Sequence, residues 1–156
     1  MGAVTARLAE LGLTLPSVAA PVAAYVPAVQ SGKCVYTSGQ LPFVDGVLVA
    51  TGKVGDGDGL VAPSDAARAA RTAALNALAA IAALVGDLDR IARVVKVVGY
   101  VASDPSFTGQ PQVVNGASEL LGEVFGAVGT HARSAVGVAV LPLDSPVEVE
   151  LHVELH

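Results

Sequence analysis

Arg133, in the run Thr130-His131-Ala132-Arg133-Ser134, is the residue of this 156-residue chain best placed to do chemistry. A guanidinium is a permanent cation with a planar fork of donors, a shape that captures a carboxylate through two parallel hydrogen bonds. A plainer account has it pairing with Glu154 or another local carboxylate, a contact of little worth if exposed. The residue types alone leave these two accounts even. His131, two positions earlier, is a candidate general base, although loop histidines are often merely exposed. His152, Glu154 and His156 put two imidazoles and a carboxylate on one strand face. They could hold zinc, but no second ligand cluster or cysteine pair accompanies them, and a solvated face is the simpler reading. Cys34 has nothing nearby that marks an activated thiolate and reads as a buried strand residue.

The glycine-rich stretch from Gly52 to Gly59 invites a phosphate cradle but fails its tests. Five residues rather than four separate Gly46 from Gly52, and Lys53 is followed by Val54. Asp56-Gly57-Asp58 fails as a calcium loop, since the twelfth position counted from Asp56 is Ala67. It reads as a flexible surface turn.

The elements that must position these residues follow from periodicity. Residues 1–12 form a short amphipathic helix with Val4, Leu8 and Leu11 on one face and Gly12 as its stop. Residues 13–27, with Pro16, Pro21 and Pro27, run extended over the surface. Lys33 to Gln40 is a strand ending at a glycine, and Phe43 to Val49 carries Asp45-Gly46 between apolar runs, a hairpin signal. Ser64 caps a helix whose buried stripe is Leu75, Leu78, Ala82 and Val85, ended by Gly86. Ile91 to Ala102 is a valine-rich strand. A second helix runs from about Pro111 to Phe125.

Two strands close the chain. The first presents Arg133, Ala135, Gly137 and Ala139 on one face and Ser134, Val136, Val138 and Val140 on the other. The valine side reads as core, and the small-residue side as open volume beside the cation. In the second, Val147, Val149, Leu151, Val153 and Leu155 alternate with Glu148, Glu150, His152, Glu154 and His156. The order predicts one α+β domain over residues 1–156, with both helices on one face of a sheet and residues 1–24 as a helix plus extended segment. If the last two strands form a hairpin, Arg133 and Glu148 stand roughly 25 Å apart within one chain. To share a pocket they would have to come from neighbouring subunits.

Composition bounds the function classes. Hydrophobic residues make up 53% and charged residues 15%, which excludes intrinsic disorder. The net charge of −5 disfavours a phosphate-backbone binder, so nucleic acid is not an expected partner. Mean hydropathy is +0.61, yet the longest apolar segment, Thr72 to Val85, is too short to span a bilayer. No signal peptide is visible, and with one cysteine the expectation is a cytoplasmic protein without membrane contact. A chain this apolar is expected to hide surface in an oligomer.

Several motifs together resemble the reactive-intermediate deaminase (Rid, YjgF or L-PSP) family. They are Tyr36-Thr37-Ser38-Gly39-Gln40-Leu41-Pro42, Val94-Val95-Lys96-Val97 to Val101, Val114-Asn115-Gly116, Ala132-Arg133-Ser134, Leu141-Pro142 and Val147-Glu148-Val149-Glu150. In family order they cover about residues 25 to 153. The resemblance implies a chorismate-mutase-like α+β fold with a mixed sheet, assembled as a homotrimer with pockets between subunits. It also implies hydrolysis of imines or enamines of 2-oxo acids to the oxo acid and ammonia. In that scheme Arg133 holds the substrate carboxylate and Glu148 positions or activates water. Tyr25 and Ser38 line the pocket, Asn115 helps order it, and no cofactor, metal or covalent nucleophile is needed. Other implied readings are a non-catalytic trimer binding a small-molecule carboxylate and, disfavoured by the acidic charge, a ribonuclease. The chain departs from the family at Ala23-Ala24, where Gly-Pro is common, and at the pocket-wall residue Ala135, where cysteine is frequent. The loop after Ser38 is also longer.

Overall fold

The computed structural model describes residues 2–18 and 24–156. Pro21 and Ala23, both singled out above, lie outside the described residues. The N-terminal helix α1 spans Ala3–Glu10, and Gly12 ends it with φ of 69°. Gly2, at its cap position, has no side chain to close the helix. Asp89, 86 residues on from Ala3, does so instead, its carboxylate accepting from Ala3 N at 2.6 Å and Val4 N at 2.7 Å. The helix buries Leu8.

Strands β1 (Ala28–Ser31) and β2 (Cys34–Thr37) pair antiparallel. β1 escaped the sequence reading because four residues after a proline show no usable alternation. β3 (Phe43–Val44) and β4 (Val47–Leu48) form the expected hairpin, with Asp45 and Gly46 at φ of 49° and 80°. Helix α2 is Pro63–Val85. Its N-cap is Ala62 rather than Ser64, because proline suits the first helical position and draws the start forward. Leu78 and Val85 are buried as expected, Leu75 and Ala82 only partly, while a row of alanines and Ile81 makes most of the contact. At 23 residues α2 is long and apolar enough to cross a bilayer, correcting the shorter span read from sequence. More than half of its most apolar stretch is buried in the fold, as befits a core helix. Strand β5 is Ile91–Ala102 and helix α3 is Gln110–Phe125. Strands β6 (Ala132–Val138) and β7 (Val147–Leu155) complete the chain.

The main sheet has the order β1-β2-β7-β5-β6, with β5 and β6 parallel and the other pairs antiparallel. The last two strands are therefore not a hairpin. β7 lies between β2 and β5, and β6 pairs with the far side of β5 after α3 crosses over. Their connection is too wide for a tight turn, passing through a 3-10 segment at Pro142–Asp144 with Leu143 and Asp144 both at φ of 58°.

The faces of β6 are the reverse of the expectation. Arg133, Ala135 and Gly137 register with Val97, Gly99 and Val101, which are buried on the face against which the helices pack. Val136 lies on the open face, 43% exposed. The small residues accommodate helix α3 rather than open space. A Cβ on Gly99 would come within 2.4 Å of Val114, and one on Gly137 within 2.8 Å of the Gln110 amide.

α2 and α3 meet just as closely. A Cβ on Gly116 would fall 1.9 Å from the Ala67 carbonyl oxygen, a backbone atom that cannot swing aside. Arg71 adds an ion pair to Glu123 at 2.6 Å and holds that carboxyl below the usual carboxylate range. Gly116→Ala should therefore cost about 1–3 kcal/mol of stability by forcing the helices apart. Gly122→Ala, on the same helix with nothing within 4 Å of the added methyl, should instead gain up to about 1 kcal/mol. Urea denaturation followed by circular dichroism measures both, and equal signs for the two variants would refute the close-packing account.

Candidate functional site

The predicted site residues fall into two groups on opposite faces of the sheet. The first surrounds Arg133. From the helix-facing side of edge strand β6, its Nη1 donates to Asn115 Oδ1 at 2.7 Å and to Ser118 Oγ at 3.3 Å. Asn115 and Ser118 stand three apart on α3, one turn of the same helix face. Ser118 Oγ lies 2.8 Å from His131 Nε2, and His131 Nδ1 lies 2.6 Å from the Gly129 carbonyl oxygen. Arg133 and His131 are half-buried and Asn115 is exposed. Among the described residues, Arg133 Nε and Nη2 have no acceptor. The alternative pairing with Glu154 does not form, for Glu154 sits opposite Cys34 and Arg93, away from β6. Ala135, two residues along β6 from Arg133, registers with Gly99 and packs against the core.

The second group surrounds Glu148 on the open face. Glu148 sits opposite Tyr100 and beside Glu150, which accepts a hydrogen bond from the Tyr100 hydroxyl at 3.0 Å. Its carboxylate lies against the α-carbon of Gly39, where an added Cβ would be 1.8 Å from Oε1. Glycine here makes the room for the carboxylate. Burial pushes the Glu148 carboxyl above its ordinary range, and the neighbouring Glu150 pushes it further. Ser38, next to Gly39, donates to the Val26 carbonyl at 2.6 Å and so ties β2 to the segment carrying Tyr25, a residue 62% exposed. Burial also raises the Tyr100 hydroxyl, with its bond to Glu150 as the next cause.

The sheet register gives the relation between the groups. Arg133 is level with Val97 and Glu148 with Tyr100, on strands flanking β5 on its two sides. Three residues along and two strands across amount to about 14 Å, shorter than the 25 Å expected from a hairpin. The faces matter more than the distance. Within one chain the two side chains point to opposite sides of the sheet.

Other expectations are also placed. Cys34 is half-buried on the open face rather than buried. His152 stacks edge-on with Tyr36, ring centroids 5.0 Å apart, and its Nε2 is 3.6 Å from Glu150. Among the described residues no three His, Cys, Asp or Glu side chains gather as a metal site. In the Gly52–Gly59 loop, Val54 is fully buried and its backbone bonds Ala102 and Asp104, which makes the loop part of the fold. Ser118 was missed, though its place one helical turn after Asn115 was a usable signal.

Residues 5–155 match the family described as "YjgF/chorismate mutase-like, putative endoribonuclease". Protein TCP17 of Trypanosoma cruzi is 47% identical over 156 residues, covering 99% of this chain and 96% of the relative. Among solved structures, Atu1372 of Agrobacterium tumefaciens, of unknown function, shares 46% identity at a TM-score of 0.87, covering 98% of this chain and 92% of the other. A Shewanella oneidensis MR-1 protein carrying the same endoribonuclease description shares 37% identity at a TM-score of 0.91, with 97% and 99% covered.

The Glu148 environment has a consequence for stability. The folded state raises its pKa, so the protonated form folds best. That benefit is full below the ordinary carboxylate range and lost as pH rises through the raised value. Glu148→Gln should accordingly melt higher than the wild type at pH 7, and the difference should vanish toward pH 4. A calorimetric pH series in which the variant is never the more stable would contradict it.

Proposed function

The chain belongs to the YjgF/chorismate mutase-like family, and from that premise we propose that it hydrolyses imine or enamine intermediates of 2-oxo acids. The carrying observation is the state of Arg133. Its guanidinium is tethered through Nη1 while Nε and Nη2 have no acceptor among the described residues. Those two nitrogens share one edge, whose parallel N–H bonds match the two oxygens of a carboxylate.

Glu148 supplies the second role. A carboxyl raised by burial is a stronger base when ionised, closer to what proton abstraction near neutral pH requires. A protonated imine is already electrophilic. Water adds to its carbon, Glu148 takes the released proton, and the carbinolamine then collapses to the carbonyl with ammonia leaving. An enamine enters by protonation at carbon. Orientation of the water and the carboxylate supplies most of the rate. Tyr25, Ser38, Asn115 and Ala135 line or support the two half-sites.

Since Arg133 and Glu148 face opposite sides of one sheet, the reading requires the Arg133 edge of one subunit to meet the Glu148 face of another. The partly exposed valines and tyrosines of the open face, among them Val29, Tyr36 and Val136, suit such an assembly, and a homotrimer is the arrangement proposed. The same split favours a second reading, in which Arg133 captures a metabolite carboxylate without turnover.

Freshly generated 2-iminopropionate, with ammonia release followed continuously, tests the assignment. Arg133→Ala should lower kcat/KM on the order of 100-fold by removing a charge-assisted bidentate contact. Glu148→Gln should cost about 100-fold or more. Gly39→Ala, which displaces the Glu148 carboxylate with little effect on folding, should cost about tenfold or more. No release above buffer across several imines, with pyruvate still bound, would move the assignment to the binding reading. Cleavage of RNA that survives purification and disappears in Arg133→Ala would replace both.

A further inference from the structure

We propose that Ser118 and His131 are positioning residues that set which edge of the Arg133 guanidinium faces its ligand. The inference rests on the reading of Arg133 as the anion anchor and adds what orients it. A carbonyl oxygen only accepts, so the contact of 2.6 Å between His131 Nδ1 and Gly129 O places a hydrogen on Nδ1. In the neutral ring Nε2 is then bare and accepts the Ser118 hydroxyl at 2.8 Å. With its hydrogen committed to His131, Ser118 Oγ turns a lone pair toward Arg133 Nη1 at 3.3 Å. Asn115 Oδ1 takes the same nitrogen at 2.7 Å.

Two acceptors on one nitrogen fix the roll of the guanidinium about its own axis and leave the Nε–Nη2 edge facing outward. Asn115 alone, an exposed amide, would hold the group at one point and leave it free to turn. The start of the relay is rigid. Gly129 is buried, and a Cβ there would lie 2.3 Å from the Leu121 carbonyl oxygen, so the turn that presents its carbonyl is seated against α3. The relay thus runs from α3 through Gly129, His131 and Ser118 back to a side chain that α3 also holds through Asn115. It selects ligands that offer two coplanar oxygens to a fixed edge, a carboxylate above a single hydroxyl or carbonyl.

The full-length protein and pyruvate, the simplest 2-oxo acid, test this by NMR titration, alongside kcat and KM for 2-iminopropionate. Ser118→Ala and His131→Leu should each raise the pyruvate Kd and the KM about tenfold. The loss should fall mainly on KM, with kcat lowered by less than KM is raised. Ser118→Thr, which keeps the hydroxyl, and His131→Gln, which keeps an acceptor, should recover most of the affinity. Wild-type pyruvate binding in Ser118→Ala and His131→Leu, with binding lost in Arg133→Ala, would overturn the relay and leave the anchor standing. Unchanged binding in Arg133→Ala would overturn the anchor and the relay together. A fall in kcat and melting temperature without a change in Kd, or no recovery by the conservative variants, would reduce both residues to structural support and reject the proposal.

Discussion

The close approach of α3 to everything beneath it is the constraint on which the rest of this structure depends. Gly116 lets α3 touch the backbone of α2, Gly99 admits Val114 over the sheet, and Gly137 leaves room for Gln110 at the helix start. At each point a methyl group would collide with its neighbour. Because the helix lies this near, Asn115 and Ser118 reach Arg133 on the edge strand. A helix standing an ångström or two higher would leave the arginine to solvent, where its orientation would be set by nothing in particular. Interiors are packed densely enough that such contacts leave few alternatives.

The sheet divides the chemistry. Its central strand β7 alternates strictly, sending five apolar residues into the core and Glu148, Glu150, His152 and Glu154 to the open face. β6 sends its arginine the other way. The arginine and the raised carboxyl of Glu148 are thus built on one sheet yet kept apart by it. Each is supported locally, Arg133 by α3 and Glu148 by the bare α-carbon of Gly39. Neither group depends on the other for its shape.

Much of this was legible in the residues, and the errors have specific physical causes. The limits of β5, the α3 span, the glycine stops of α1 and α2 and the alternation of β7 were readable because each rests on local periodicity or a backbone preference. The pairing of β6 with β5 was not, because strand order depends on which long-range crossover closes and the final two strands are neighbours in sequence. The face of β6 was misread for a different reason. Ala135 and Gly137 are small, and smallness signals either vacant space or a close neighbour, with nothing in the strand to distinguish them. Only the helix that fills the space decides. Ser118 was overlooked because serine inside a helix is usually unremarkable, and its significance comes from His131 on another element.

The cap that Asp89 places on α1 bears on the order in which this molecule comes together. An eight-residue helix has no independent existence in water. Its first turn is closed by a carboxylate that the ribosome delivers more than eighty residues later, and Arg7 is held by the Glu123 carbonyl later still. α1 therefore completes these contacts only once Asp89 and α3 are in place. It is laid down late on the body it packs against, and its loss would uncover the apolar residues around Leu8.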